Sequence, residues 1–360
     1  MHRLWYRTAL AFALVAVLSI ICSPVLHAQK RKRKDEEPKT QVLPLPRELP
    51  MVLEADTRGL DFHVSPLLKT GGLAAQIRRS LTDLLRDTHG ETIVKLRAFV
   101  SGVGDARRVA TEVSELFSSR KVPLPVLTIL QVGGLGEDLA QVEIEAVVST
   151  PRTLNPNGLV FLSGQTGNSL SEALEGLQKS AKTASTTSEQ IVSCTCFLSR
   201  VESGLRERGA VQSMFPKAAV NVVQALRDPP NNTTMCEAIG QLGSISTEAP
   251  LLLMKEARAS IVRSPRLVFT GLQLTFGSYL DDAREAFHRL QRAASVVEGA
   301  DSTVQLNAFS LDLTSGSALR KSTSAPPSTF TTQIVEGLPA MDASAGIEAV
   351  LVPPDKGASQ

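Results

Sequence analysis

One six-residue pattern, apolar–x–apolar–x–small–Phe, occurs three times along the chain and constrains its folding more than any other feature. It reads Val94-Lys95-Leu96-Arg97-Ala98-Phe99, then Val192-Ser193-Cys194-Thr195-Cys196-Phe197, then Val304-Gln305-Leu306-Asn307-Ala308-Phe309, and the copies stand 98 and 112 residues apart. Before each lies another strand-like run ending in Phe, at Gly59-Leu60-Asp61-Phe62, Gly158-Leu159-Val160-Phe161 and Arg266-Leu267-Val268-Phe269. After each comes a run carrying Glu-Ala, at Glu145-Ala146, Glu237-Ala238 and Glu348-Ala349. Three markers in one order, at one period of roughly 100 residues, are the signature of one supersecondary unit present three times.

Between the first two markers each copy has apolar residues three and four apart, as in Leu73-Ile77-Leu81-Leu84, Leu170-Ala173-Leu174-Leu177 and Leu280-Ala283-Phe287-Leu290. That spacing puts them on one face of a helix. A second helical pattern follows the middle strand in the first two copies, through Val109-Val113-Phe117 and from Leu205 to Phe215. Each unit therefore reads as strand, helix, strand, helix, strand, strand, an α+β sheet with helices on one face. The other sheet face also alternates with apolar residues and needs a cover. If the three units close on one another, sheets inward and helices outward, each covers the next, and a single chain becomes an intramolecular pseudo-trimer, a monomer. The boundaries expected are a leader at 1–28, a charged, Pro-rich linker at 29–50, units at 51–150, 151–247 and 248–355, and a tail at 356–360.

The leader carries Arg3 and Arg7, an apolar run from Ala9 to Ile21 and a small-residue end near Ala28, the three parts of a secretory signal. The run stops at Ser23-Pro24, short of the about 20 apolar residues a membrane span needs. The expectation is a cleaved, exported protein, periplasmic or secreted, with no membrane anchor after cleavage. The chain has 38 Lys plus Arg against 36 Asp plus Glu, and both surplus cations lie in the leader, so the mature chain is neutral. Trp5 and Tyr6 leave with it, and Tyr279 is the one Tyr remaining. Neither a polyanion-binding surface nor an aromatic stacking platform is supported, which argues against nucleic acid as a partner.

Cys194, Cys196 and Cys236 remain after cleavage, an odd number that cannot all pair within one chain. Cys194 and Cys196 share one face of a strand; either could bridge to Cys236, or all three could be buried thiols. His63, His89 and His288 fall on different elements, and no zinc-type spacing occurs, so no metal is expected. Gly133-Gly134-Leu135-Gly136 suits a hairpin turn. Arg97, with Lys95, either faces inward, where it could line an interface or bind an anion, or takes a solvent-facing or structural-pair role. Asn231 and Asn232 match the glycosylation sequon.

Several of these residues, taken together, resemble the RidA/YjgF/YER057c family of small trimeric proteins with a chorismate-mutase-like α+β fold. Gly158-Leu159-Val160-Phe161-Leu162-Ser163-Gly164-Gln165 is similar to the family strand ending in Ser-Gly-Gln, and Leu267-Val268-Phe269-Thr270-Gly271-Leu272-Gln273 echoes it. Val142-Glu143-Ile144-Glu145-Ala146 is similar to the family's closing strand. The resemblance covers roughly residues 50 to 355. It implies pockets between units and, in active members, hydrolysis of reactive enamines or imines without metal or organic cofactor. An Arg in a Pro-x-Arg-Ser stretch would hold the substrate carboxylate, and a closing-strand Glu would orient water.

At the positions a Pro-x-Arg alignment assigns to that Arg stand Leu127, Ala218 and Thr329. Lys217 lies one residue from the second, as a replacement or as a solvated side chain. The family Glu survives as Glu143, with Met235 and Gly346 at its counterparts. Pocket candidates are Ser163, Gly164, Gln165, Thr270, Gly271, Lys217 and Arg97. The expected function is a non-deaminating protein that binds a small molecule or a protein partner between its units. The competing one is an imine or enamine deaminase retained at the pocket containing Glu143.

Overall fold

Alternating apolar residues build three sheets with one strand order. The computed structural model describes residues 47–55, 60–102, 104–149, 158–226, 233–242, 252–254, 259–262, 267–295, 302–323 and 329–352. The leader, almost all of the linker, Asn231, Asn232 and the tail lie outside the described residues. A short strand, β1 (Val52–Ala55), precedes the first set: β2 (Leu60–Val64), α1 (Leu73–Asp87), β3 (Thr92–Ser101), α2 (Arg107–Ser119), β4 (Val126–Val132), β5 (Gly134–Leu135) and β6 (Val142–Ser149). The second set is β7 (Leu159–Gly167), α3 (Leu170–Thr183), β8 (Ile191–Leu198), α4 (Leu205–Met214), β9 (Ala219–Gln224) and β10 (Thr234–Gln241). An antiparallel pair, β11 (Leu252–Met254) and β12 (Ala259–Val262), leads into the third. That set is β13 (Leu267–Thr270), β14 (Gln273–Thr275), α5 (Leu280–Ser295), β15 (Ser302–Ser310), α6 (Leu313–Ser322), β16 (Phe330–Ile334) and β17 (Ala345–Val352).

The sheets run β2-β6-β3-β4, then β7-β10-β8-β9 with β1 added beside β7, then β13-β17-β15-β16 with β12 and β11 beyond β13 and β5 beyond β16. In each, the closing strand lies antiparallel between the first and middle strands, and the middle strand is parallel to the penultimate one. A parallel pair needs a crossover connection, and α2, α4 and α6 supply it. α6 is a helix that the apolar spacing of the third copy does not announce; Asp312 starts it, its Oδ1 accepting from Ser315 N at 2.9 Å. Ser169 caps α3 in the same way, through Glu172 N at 3.2 Å.

Two segments depart from the expected partition. β1, counted with the first unit, pairs with β7 of the second sheet. The glycine cluster is not only a turn: Gly134–Leu135 pairs with β16 of the third sheet, and Gly133 N donates to Ile334 O at 2.8 Å. A Cβ at Gly133 would sit 3.2 Å from that carbonyl, so the close approach favours glycine.

Each sheet packs its own helices over an apolar layer, with Leu81, Leu96 and Phe117 in the first, Leu177, Cys194 and Phe215 in the second and Leu290, Leu306 and Leu319 in the third. Two further buried clusters draw side chains from all three sheets. One joins Phe62, Val147, Phe161, Ile239, Phe269 and Val350 with their neighbours. The other contains the marker residues Phe99, Phe197 and Phe309. Phe309 meets Phe99 edge-to-face at 6.5 Å and Phe197 at 6.0 Å between ring centroids, a geometry that aligns ring edge with ring face.

Candidate functional site

A layer of charge lies between those two apolar clusters. Strand residues two apart share a face, so Arg97 points to the same side as Phe99, and Lys95 to the same side again. Across the antiparallel register Arg97 stands beside Glu145, as Thr195 does beside Glu237 and Asn307 beside Glu348. The three glutamates are the Glu-Ala markers of the three copies, and all three converge on one guanidinium. Arg97 Nε donates to Glu145 Oε2 at 2.7 Å, Nη1 to Glu237 Oε1 at 3.2 Å, and both Nη atoms to Glu348 Oε1 at 3.3 Å. Lys95 Nζ lies 2.9 Å from Glu237 Oε1. Around them Gln305 Nε2 and Thr331 Oγ1 donate to Glu145 at 2.9 and 2.8 Å, and Asn307 Nδ2 donates to Glu348 Oε1 at 2.9 Å. Asn221 Nδ2 donates to Glu348 Oε2. All five charged residues are buried.

Burial this deep penalises every charge, so the partners decide each protonation state. Burial works against the Arg97 charge, but Glu145, Glu237 and Glu348 outweigh it and raise its pKa. Burial pushes Glu237 up as well, and Lys95 and Arg97 override it, leaving the carboxyl below its usual range. For Glu348 burial prevails over Arg97 and Asn307, and its pKa is raised.

Glu143, two residues before Glu145, sits in the next layer, where it accepts from Gln333 Nε2 at 3.0 Å. Burial, with Glu145 adding repulsion, pushes its carboxyl up to about 8. Gln333 Oε1 has no hydrogen-bond partner, and a neutral Glu143 carboxyl has the proton to offer it. Met235 and Gly346 hold the matching register positions, opposite Phe197 and Phe309 as Glu143 is opposite Phe99.

Of the other expected site residues, Thr270 lines the same cavity as Arg97, and the rest lie elsewhere. Gly164 N donates to Thr128 Oγ1 at 3.1 Å across the first and second sheets, and Ser163 Oγ accepts from Gln165 Nε2 at 3.0 Å. Thr270 Oγ1 accepts from Ala349 N at 2.8 Å, and the Gly271 carbonyl accepts from Gln273 Nε2 at 3.0 Å. Lys217 is a third exposed and lies 3.4 Å from Glu189, away from the charged layer. Leu127 packs under the helices of the first sheet, Ala218 under those of the second, and Thr329 Oγ1 donates to Val304 O at 2.6 Å.

Strand register corrects that last alignment. Leu127 is opposite Leu96; the equivalents opposite Cys194 and Leu306 are Val220 and Phe330, not Ala218 and Thr329. The Pro residues used for alignment precede strands of different lead length, so they slip by one and two residues. The inward positions beside Arg97, Thr195 and Asn307 are Thr128, Asn221 and Thr331, and no Arg occupies either set. Arg97, weighed as an anion holder, is engaged by the chain's own carboxylates.

A cavity of about 50 Å³ opens above the charged layer, lined by Lys95, Arg97, Glu145, Glu237 and Glu348 below and by Phe62, Val147, Ile239, Phe269 and Val350 at its collar. Phe62, Ile239 and Val350 are half-buried, so the collar reaches toward solvent. Among the described residues no His, Cys, Asp and Glu group has metal-binding geometry, and no helix is long and apolar enough to cross a membrane.

No family model matches this chain, and no curated protein matches it. Solved structures do resemble it. A chorismatase is 11% identical, with 81% of this chain and 98% of that chain covered at a TM-score of 0.46. A member of the YjgF/YER057c/UK114 family from Mycobacterium tuberculosis is 18% identical, with 40% of this chain and 99% of that chain covered at a TM-score of 0.21. Members of the YjgF family are thus among the structures similar to parts of this α+β chain.

Proposed function

We propose that this chain is an exported pseudo-trimer of three RidA-like units with a chorismate-mutase-like fold, and that it binds a ligand or partner without deaminating it. The observation that carries the functional half is the occupancy of the interior. An imine hydrolase of this type has to hold a substrate carboxylate with a guanidinium. Here Arg97 spends its donors on Glu145, Glu237 and Glu348, and no Arg stands at Leu127, Ala218 or Thr329, nor at the inward positions Thr128, Asn221 and Thr331. A buried carboxylate without its guanidinium partner loses several kcal/mol of binding. The recurrent strand order and the two clusters shared by all three sheets support the pseudo-trimer. The disulfide between Cys196 and Cys236 supports an oxidising compartment, as does the leader-like segment at residues 1–28.

One observation favours the competing deaminase: a carboxyl poised at about 8, as at Glu143, suits general acid–base work near neutral pH. The two readings separate in an imine-hydrolysis assay. 2-Iminopropanoate is generated by an amino-acid oxidase, semicarbazide competes for it, and the protein is expected to leave the trapping rate unchanged. Faster loss of imine that disappears in Glu143→Ala would overturn the binding reading.

A further inference from the structure

We propose that the cavity between the sheets is a binding site for a small primary ammonium ion, ammonium itself or methylammonium. The proposal rests on the binding reading above and names the ligand class for it. Its ground is a pair of acceptors. Glu237 Oε2 and Asn221 Oδ1 are buried and accept no hydrogen bond of ordinary geometry, the Thr128 hydroxyl being near enough to lower the Glu237 pKa without closing such a bond to Oε2, and both side chains line the cavity. Their residues are 4% and 2% exposed. Buried oxygens of this kind are seldom left unmatched, because an unmade bond in a low-dielectric interior forfeits its whole desolvation cost. The missing partner has to donate.

Charge gives the same answer. With Glu145, Glu237 and Glu348 all ionised against Lys95 and Arg97, the layer is one positive charge short, a deficit that either a proton on Glu348, whose pKa burial raises, or a bound cation makes good. A neutral donor would leave Glu348 to take up the proton, whereas an ammonium group meets the oxygens and the charge together. The collar sets the size and the remaining chemistry. Phe62, Val147, Ile239, Phe269 and Val350 surround the mouth, apolar side chains against which a methyl group can rest. A volume of about 50 Å³ admits one or two non-hydrogen atoms with their hydrogens beside the carboxylates. The Ser193 and Thr195 hydroxyls and the Gln305 amide also line the site and can turn their oxygens to a third N–H.

Binding to the folded state raises thermal stability in a saturable way. The test follows thermal unfolding of the full chain in ammonium, methylammonium, potassium and tetramethylammonium chloride at one ionic strength. Ammonium and methylammonium are expected to raise the midpoint, while potassium, close to ammonium in size but without N–H, and tetramethylammonium, which is cationic but has no donor, do not. Glu237→Gln should weaken the response more than about tenfold, the scale of one charge-assisted hydrogen bond. If that variant does not fold, Ile239→Trp fills the half-buried collar without touching a charge, and whatever its unliganded midpoint it should lose the rise with ammonium. An equal response to all four salts, or an undiminished response in the folded variants, overturns the proposal. The imine assay reads the other claim separately: no ammonium response with no hydrolysis sinks this site alone, whereas hydrolysis lost in Glu143→Ala sinks the non-deaminating reading.

Discussion

Arg97 takes its partners from three glutamates that lie 48, 140 and 251 residues away in the chain. Removing one member of such a buried set leaves the others uncompensated, which costs more than the set is worth as a whole. Arg97→Met is therefore expected to lower unfolding stability by about 3–5 kcal/mol, measured by urea titration at neutral pH. Glu143 works in the opposite sense. Its pKa is pushed up to about 8 from 4.5 by burial, so its contribution is complete below pH 4.5 and fades as pH rises to about 8, where the folded carboxyl must ionise in a buried site beside Glu145. Glu143→Gln should flatten that decline, leaving the variant more stable than the parent relative to their values at low pH. Equal pH slopes in the two proteins would refute it. At this scale the sequence showed the Glu-Ala pairs as markers, but their meeting with Arg97 was not legible: parity says which residues share a face, and it does not say which face turns inward.

Register between neighbouring strands explains the cysteines. Cys236 on β10 lies directly opposite Cys196 on β8, and Cys194 lies opposite Ala238. The bridge forms between Cys196 and Cys236, 40 residues apart, and Cys194 stays a buried thiol 4.0 Å from Cys196 Sγ. Closing a loop of that length stabilises by about 3–4 kcal/mol in the chain-entropy account, so a reducing agent should lower the urea midpoint by the corresponding amount. Burial raises the Cys194 pKa. A thiol without its thiolate form or access does not alkylate; iodoacetamide is expected to leave Cys194 unlabelled in the folded protein and to label it once urea unfolds the chain. Labelling under native conditions would contradict the placement of Cys194 in the apolar layer. The helices with three-and-four spacing are legible because that spacing is local, whereas β5 looks like a turn in the sequence because its partner, β16, lies some 200 residues on.

Strands given up by one set to another's sheet tie the molecule together. β1 completes the second sheet, β5 extends the third, and Arg97 of the first reaches glutamates of both others. Residues Pro46–Gln360 accordingly form one compact unit, and their unfolding should be a single transition, with circular dichroism and Cys194 reactivity changing at the same urea concentration. Separate midpoints would mean that one sheet unfolds ahead of the others. The sequence by itself determined the recurrence of the three markers, the strand and helix order of the first two copies and the α+β character, because period-two and 3.6-residue patterns are written in neighbouring residues. It also determined that three cysteines could not all pair. Only the tertiary structure decided that Arg97 faces three carboxylates, that Cys196 is the bridged cysteine of its strand, and which positions of β4, β9 and β16 are equivalent. Each of those depends on the register between strands far apart in the chain, where a shift of one residue turns every side chain to the other face.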